Sequence, residues 1–196
     1  MLKRILVSIL AVSMVGGIVA FGSNAVFTDT ATVGSNAFNT GTLEISTSPT
    51  SAVWTAVTAG VPGDRATGAL TVSNGGSADL RYAVSGSNTS ATLSGSMSLR
   101  IALQNGGSCD FPYHNTDGTT ASLTDDTQLY VGLLDASALI GSNAQGDQAG
   151  DRNLSAGADE VLCFAVVLPL SAGNASQGLS NATTFTFDAE QTANNP

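Results

Sequence analysis

Residues 161–168 read Val-Leu-Cys-Phe-Ala-Val-Val-Leu and are the strongest candidate for a core strand. β-branched and aromatic side chains favour strands, and Pro169 ends the run because proline cannot donate a hydrogen bond to a ladder. A run that is apolar at both odd and even positions indicates a strand buried on both faces. We therefore expect residues 161–168 to lie inside the core of a β protein.

Segments before and after this run alternate apolar and polar residues, the period-2 pattern of half-buried strands. In residues 97–104 the odd positions are apolar, so Arg100, at an even position, is expected to face water. Turn clusters separate the segments, as at residues 62–64, Pro-Gly-Asp, where proline fixes one φ angle and glycine accepts a positive one. This spacing predicts an all-β, jelly-roll-like antiparallel β-sandwich over residues 41–190. The strand candidates are residues 42–46, 53–57, 69–73, 80–85, 97–104, 129–134, 161–168 and 183–190; residues 141–157 are expected to be a disordered loop and residues 191–196 a fraying tail.

Residues 1–25 have the pattern of a secretory signal peptide. Two basic residues precede an apolar run at 5–21, and Ser23 and Ala25 place small side chains at the −3 and −1 positions of a signal-peptidase site. Cleavage between Ala25 and Val26 would make signal peptidase a partner during export. No later apolar run reaches about 18 residues, so no membrane span is expected after cleavage.

The exported chain would begin with a strand followed by a hinge, residues 26–40. Phe27, Ala31 and Val33 alternate with threonines and share one face with Asp29. Such a strand either packs into its own domain or fills the groove of a neighbouring subunit. The residues alone leave both possibilities open.

Charge and composition exclude several functions. The net charge is −9, and −11 without the two basic residues of the leader, so the chain repels phosphate backbones and nucleic-acid binding is not expected. The single histidine, His114, cannot by itself build a His-Glu-x-x-His zinc site, and no Gly-x-Ser-x-Gly motif is present. The acidic loops could take Ca²⁺ but lack EF-hand spacing, so we expect solvated acids and no cofactor. Those acids are Asp117, Asp125 and Asp126, and Asp147 and Asp151.

Cys109 and Cys163 are the only cysteines of the chain. In an exported protein an even pair favours a disulfide; two independent buried thiols are the alternative. A bridge across this separation would contribute about 4 kcal/mol on the chain-entropy model.

Four blocks of sequence stand out in the amino-terminal half. Residues 26–29 read Val-Phe-Thr-Asp, and residues 41–46 read Gly-Thr-Leu-Glu-Ile-Ser. Residues 61–64, Val-Pro-Gly-Asp, lead into residues 69–77, Ala-Leu-Thr-Val-Ser-Asn-Gly-Gly-Ser. In this order the blocks resemble the TasA/CalY family, the camelysin-like fibre proteins of bacterial biofilm matrices.

The resemblance implies a secreted structural subunit that polymerises head to tail with itself into extracellular or cell-surface fibres. Because the catalytic motifs named above are missing, we expect no enzymatic activity. It also implies that residues 26–33 act as a donor strand, with Phe27, Asp29, Ala31 and Val33 as its key positions. The cysteine pair departs from the family's fibre proteins, which do not depend on one. Two alternatives remain: a monomeric surface adhesin or carbohydrate-binding module with the same fold, and a secreted peptidase, because camelysin-like members carry a metallopeptidase label.

Overall fold

The computed structural model describes residues 40–54, 60–106, 109, 127–193 and 195. The predicted signal peptide, the cleavage site at Ala25 and Val26, and the donor strand with Phe27, Asp29, Ala31 and Val33 lie outside these residues. The described chain contains nine strands, a one-turn helix and one 3₁₀ turn at Asn174–Ser176. In chain order they are β1 (Ile45–Ser48), β2 (Arg65–Asn74), β3 (Leu80–Asn88), α1 (Ala91–Ser94), β4 (Ser98–Leu103), β5 (Thr127–Leu133), β6 (Ala138–Ile140), β7 (Arg152–Leu154), β8 (Asp159–Val167) and β9 (Thr183–Gln191).

The strands form two antiparallel sheets. Sheet A has five strands in the order β1-β2-β8-β4-β5, so β8, the predicted core strand, lies at its centre. Sheet B is built on β3, which pairs with β9 along its whole length. The other edge of β3 is shared, because β7 pairs with its first residues and β6 with Val84 and Ser85.

One hydrophobic core fills the space between the two sheets. Leu162 and Phe164 of β8 enter it from sheet A, and Tyr82 and Val84 of β3 enter it from sheet B. All four are buried, and each such side chain stabilises the fold by about 1.5–3 kcal/mol. The predicted all-β antiparallel sandwich is therefore confirmed.

The core strand prediction is confirmed in detail. Residues 162–167 are all buried, since the outer face of β8 is covered as well as the inner one, and the strand ends just before Pro169. Gly63 adopts a φ of 100°, as the predicted Pro-Gly-Asp turn requires. In β9 the two phenylalanines, Phe185 and Phe187, lie on one face, packed against the core.

Several elements differ from those predicted. The first strand begins at Ile45 rather than at residue 42. The backbone of residues 41–44 forms hydrogen bonds with the turn at residues 75–78 and not with a neighbouring strand. Residues 51–54 are not in a strand, and the rest of the 53–57 candidate lies outside the described residues. Helix α1 was not predicted; Ser90 caps it, with its Oγ accepting from Leu93 N at 3.3 Å. The expected loop at 141–157 contains β7 and is held by two carboxylates, described below.

None of the helical segments in the described ranges has the length and hydropathy of a membrane-spanning helix.

Candidate functional site

Residues 41–44 are anchored on the turn between β2 and β3. Thr42 N donates to Ser77 Oγ at 2.9 Å, and Thr42 O accepts from Ser77 N at 3.0 Å. Glu44 O accepts from Gly75 N, also at 3.0 Å. Two of the blocks picked out from the sequence, 41–46 and 69–77, therefore bind each other. We call this contact the amino-terminal anchor, because the chain before Thr40 starts from it.

The anchor depends on close backbone approach and on a buried asparagine. A Cβ added at Gly76 would lie 2.9 Å from Glu44 N and within contact distance of Thr42 O, so only glycine fits there. Asn74 is 2% exposed and holds the turn from inside: its Nδ2 donates to Leu154 O and its Oδ1 accepts from Gly76 N. The anchor is therefore continuous with the core.

The longest sheet edge without a described partner belongs to β9. This nine-residue strand pairs with β3 in uninterrupted register, and no described residue pairs with its other edge. Its core-facing side chains Phe185 and Phe187 are only half-buried, whereas Phe164 and Tyr82 in the same core are almost fully covered. An unpaired edge of this kind is a template for pairing with another strand.

Trp54 fills the core beside β9. Its ring centroid lies 5.6 Å from that of Phe185 in an edge-to-face arrangement, and 6.5 Å from that of Phe164. The backbone of Val53, the residue before Trp54, lies directly against Gly68 of β2. A Cβ added at Gly68 would collide with Val53 O. Residues 53–54 thus pack between β2 and β9, near the open edge.

The edge strand of sheet A is built differently. In β5 the Tyr130 side chain folds along its own strand and donates from its OH to Leu133 O at 2.7 Å. Its hydroxyl also occupies the space beside Gly132, and the register with β4 is broken between Ile101 and Ala102. Such irregularity discourages pairing with a further strand.

An ion-paired cluster lies on the outer face of sheet B. The Glu190 carboxylate accepts from Arg81 Nε at 2.6 Å, from Gly146 N at 3.0 Å and from Asn195 Nδ2 at 2.7 Å. The hydrogen bond from Arg81 is the main cause that lowers the pKa of Glu190. Arg81 also donates to Asn195 O. Gly146, which precedes β9 in the chain, and Asn195, which follows it, are therefore both hydrogen-bonded to sheet B.

Asp151 holds the neighbouring loop, which explains why residues 141–157 are ordered rather than disordered as predicted. Its two carboxylate oxygens accept from Ser142 N at 2.9 Å and from Gln148 N at 3.0 Å. Asp151 and the exposed Asp147 are the two candidate Ca²⁺ ligands that lie in this loop. The other candidates, Asp117, Asp125 and Asp126, lie outside the described residues.

A polar triad links the two sheets inside the sandwich. Tyr82 OH donates to Glu160 Oε1 at 2.5 Å, and Arg152 forms an ion pair with Glu160 Oε2, also at 2.5 Å. Burial raises the pKa of Tyr82, with the Glu160 carboxylate adding to the effect. The hydrogen bond to Glu160 raises the pKa of Arg152. This triad was not foreseen, because Tyr82 lies 78 residues from Glu160 in the sequence.

The predicted disulfide between Cys109 and Cys163 is present, with a Cα–Cα distance of 5.2 Å. It lies on the outer face of sheet A, where Cys163 and Ala165 of β8 are buried against Cys109. Arg100 lies on this same face, yet it is only 4% exposed, so the prediction that it faces water is wrong. Burial lowers the pKa of its guanidinium.

Two asparagines with glycosylation sequons serve structural roles. Asn181 Nδ2 donates to Asn88 Oδ1 at 2.8 Å, and Asn88 Nδ2 donates to Leu134 O at 2.8 Å. Both amide nitrogens that a glycan would need are therefore engaged. The sequons at Asn153 and Asn174 remain exposed.

The chain was compared with models of known protein families, and one family matches. Residues 1–98, half of its length, match the model of the camelysin metallo-endopeptidase family. The chain belongs to the camelysin family. The match includes the amino-terminal anchor and strands β1 to β3, and it ends where β4 begins. A search among curated proteins finds no match to this chain.

The camelysin family name describes a metallo-endopeptidase, which points toward an enzyme. Such an enzyme needs three or more side chains that converge on a metal ion. Within the described ranges, no group of three or more His, Cys, Asp or Glu side chains is placed to hold one. His114 lies outside those ranges. The described part of this camelysin-family chain therefore does not fit a catalytic metal.

Proposed function

We propose that the chain is a secreted structural subunit that polymerises into extracellular or cell-surface fibres of a biofilm matrix by donor-strand complementation. The observation that carries the proposal is the long sheet edge of β9, which has a described partner on one side only. Residues 26–33, with Phe27, Ala31 and Val33 on one face, are the strand that would complete such an edge. Signal-peptide cleavage after Ala25 would release that strand.

The amino-terminal anchor supports this function. A donated strand transmits force only if the chain leaves its own domain from a fixed point. Thr42 and Glu44 provide that point, since their backbone atoms are bound to a turn whose asparagine is buried in the core. Because donor and acceptor occupy different places on each subunit, the contact is heterologous and repeats into a filament.

Electron microscopy of the secreted chain tests the proposal. The intact chain should form filaments, and a chain lacking residues 26–33 should remain a folded monomer. Phe27→Asp should also abolish filaments, because it removes the aromatic side chain from the face that Ala31 and Val33 share and adds a second charge beside Asp29. Thr28→Asp, on the opposite face, should preserve them. Monomers from the intact chain, or filaments from the deletion, would contradict donor-strand assembly and favour the adhesin alternative.

The family name supports a second candidate, a secreted metallo-endopeptidase. Its test is hydrolysis of casein by the secreted chain with and without a chelator, beside the variant His114→Ala. Chelator-sensitive hydrolysis that is lost in His114→Ala would establish the peptidase. We expect neither preparation to cleave casein.

A further inference from the structure

We infer that Asn74 and Gly75 form a modification site that the amino-terminal anchor keeps unreactive. When the anchor opens, Asn74 closes on the amide of Gly75 and becomes aspartate or isoaspartate. The change is spontaneous and is not reversed in the chain, so each molecule keeps a record that its anchor has opened. The inference rests on the contacts of the anchor turn and does not depend on the proposed fibre function.

The chemistry follows from the residue pair itself. An asparagine closes most readily on a following glycine, because glycine has no Cβ to obstruct the attack. Base removes the proton of the Gly75 amide, and the nitrogen attacks Cγ of Asn74. A bond forms between this nitrogen and Cγ, the Cγ–Nδ2 bond breaks, and ammonia leaves. Water then opens the resulting cyclic imide at either carbonyl, which gives aspartate or isoaspartate.

The anchor occupies the nucleophile of this reaction. Gly75 N donates to Glu44 O at 3.0 Å. The nitrogen cannot lose this proton or turn toward Cγ of Asn74 without breaking that bond. Residue 44 is itself held by the neighbouring hydrogen bonds between Thr42 and Ser77. Opening of the anchor therefore releases the nitrogen that reacts.

The side chain of Asn74, which is attacked, is held by three further hydrogen bonds. Its Nδ2 donates to Ala78 O at 2.9 Å and to Leu154 O at 3.1 Å. Its Oδ1 accepts from Gly76 N at 3.0 Å. The residue is buried, so water and base have little access to it. While the anchor is closed, we expect the reaction to be slow.

A second Asn-Gly pair, Asn105 and Gly106, provides a reference within the same chain, and the sequence contains no third. Both residues are exposed just after the end of β4. Asn105 Nδ2 donates to Thr127 Oγ1 at 3.0 Å. Water and base reach this pair while the sandwich is intact. Comparing the two sites therefore separates the effect of the anchor turn from the chemistry of the residue pair.

The product does not fit the closed turn. Aspartate at position 74 would present an oxygen to Ala78 O and Leu154 O, to which Nδ2 now donates. Two hydrogen bonds would be lost, and a charged group would face two carbonyl oxygens away from water, which is costly. Isoaspartate would also lengthen the backbone before Gly75 by a methylene group and displace its nitrogen from Glu44 O. The anchor should therefore stay open after the reaction.

Peptide mapping of the secreted chain during incubation at mildly alkaline pH tests the inference. Arg65 and Arg81 flank the site, so a brief trypsin digestion releases Asn74 as the only asparagine of residues 66–81. Chromatography and mass spectrometry separate and identify its aspartate and isoaspartate forms. Asn105 is followed in the peptide of residues 101–152 after reduction of the disulfide. A synthetic peptide of residues 66–81 gives the rate at Asn74 without the fold.

Two substitutions loosen the anchor without changing the reacting pair. Gly76→Ala brings a Cβ to 2.9 Å from Glu44 N. Ser77→Ala removes the hydroxyl that accepts from Thr42 N, and it serves if Gly76→Ala does not fold. Ser87→Ala, at an exposed serine near the other end of β3, is the matched control. Synthetic peptides that carry the first two substitutions show their effect on the chemistry alone.

We expect Asn74 to react at least about tenfold more slowly in the folded chain than in the synthetic peptide, because attack requires local opening. Gly76→Ala and Ser77→Ala should raise the rate at Asn74 several-fold in the folded chain. They should leave the rate at Asn105 and the rates of the synthetic peptides unchanged, and Ser87→Ala should change none of them. An Asn74 rate equal to that of the synthetic peptide, or one that neither anchor variant raises, would overturn the inference.

Asn74→Asp tests separately whether the modification holds the anchor open. Limited proteolysis should cut this variant faster near residues 40–44, whereas Asn105→Asp should be cut there at the rate of the unsubstituted chain. If Asn74→Asp is also cut at the unsubstituted rate, the anchor closes over the product, and the modification keeps no structural record of the opening.

Discussion

Tyr82 of sheet B is linked to sheet A by a hydrogen bond to the charged carboxylate of Glu160. Its hydroxyl donates to Glu160 at 2.5 Å, and a hydrogen bond to a charged group contributes about 1.5–3 kcal/mol. Tyr82→Phe should lower the free energy of unfolding by about this amount at pH 7. Urea denaturation followed by Trp54 fluorescence measures it.

The pH dependence gives the same substitution a second, independent readout. Burial raises the pKa of Tyr82 in the folded state, so its contribution is fully present below about pH 10, the pKa of an unfolded tyrosine. As pH rises further, the intact protein should lose up to about 1.4 kcal/mol per pH unit. Tyr82→Phe should lack most of this loss. Tyr130→Phe should lack a smaller part of it, because partial burial and the Asp135 carboxylate raise the pKa of Tyr130 as well. Equal alkaline slopes in Tyr82→Phe and the unsubstituted protein would refute the assignment.

Single residues also show where sequence reasoning ends. The alternation in β4 correctly put Arg100 on the face opposite Leu99 and Ile101, but alternation fixes a side and not its exposure. The outer face of β8 is itself buried around Cys163, and Arg100 lies on that face. Sequence patterns could not foresee the Tyr82–Glu160 contact either, since 78 residues separate the two.

At the scale of elements, the amino-terminal anchor gives a matched pair of glycine substitutions. Gly76→Ala brings a Cβ to 2.9 Å from Glu44 N, so the 41–44 segment must shift, and overpacking of this kind costs about 1–3 kcal/mol. At Gly75 the nearest atoms are those of the Glu44 carboxylate, at 3.1–3.4 Å, which can move aside. Gly75→Ala should therefore change the free energy of unfolding by less than about 0.5 kcal/mol.

Limited proteolysis locates the effect. In Gly76→Ala the loosened anchor should be cut faster near residues 40–44, while cleavage elsewhere keeps its rate. Equal stability and equal cleavage in the two variants would show that residues 41–44 do not depend on the close approach at Gly76.

Elements with strong patterns were predictable, and elements held by distant partners were not. β8 and β9 follow from apolar runs and alternation in their own residues. Residues 141–157 are polar and glycine-rich, which favours disorder when taken alone. Their order comes from Asp151, which binds two amides of the loop, and from Glu190, which belongs to β9. Only the assembled sheet brings Glu190 to that loop.

At the scale of the whole molecule, the sequence predicted one antiparallel sandwich and one disulfide, and the fold shows where the disulfide lies on the sandwich. Two sheets share a single core, while the bridge closes a second, smaller cluster on the outer face of sheet A. The assembly surface is less predictable. Which edge stays unpaired depends on the order of all the strands, and that order brings β8 between β2 and β4, strands far from it in the chain.

The bridge should set the conditions under which this domain is stable. Its cysteines are 54 residues apart, and the chain-entropy model assigns such a closure about 4 kcal/mol. Cys109→Ala should lose about that free energy while leaving Cys163 as a buried thiol on β8, and adding reductant to the intact chain should reproduce the loss. Reductant should not affect Cys109→Ala further. Denaturant midpoints that match with and without reductant in the intact chain would mean that packing of β8 alone stabilises the domain. A large shift would instead tie its stability to the oxidising conditions outside the cell, where the proposed fibres form.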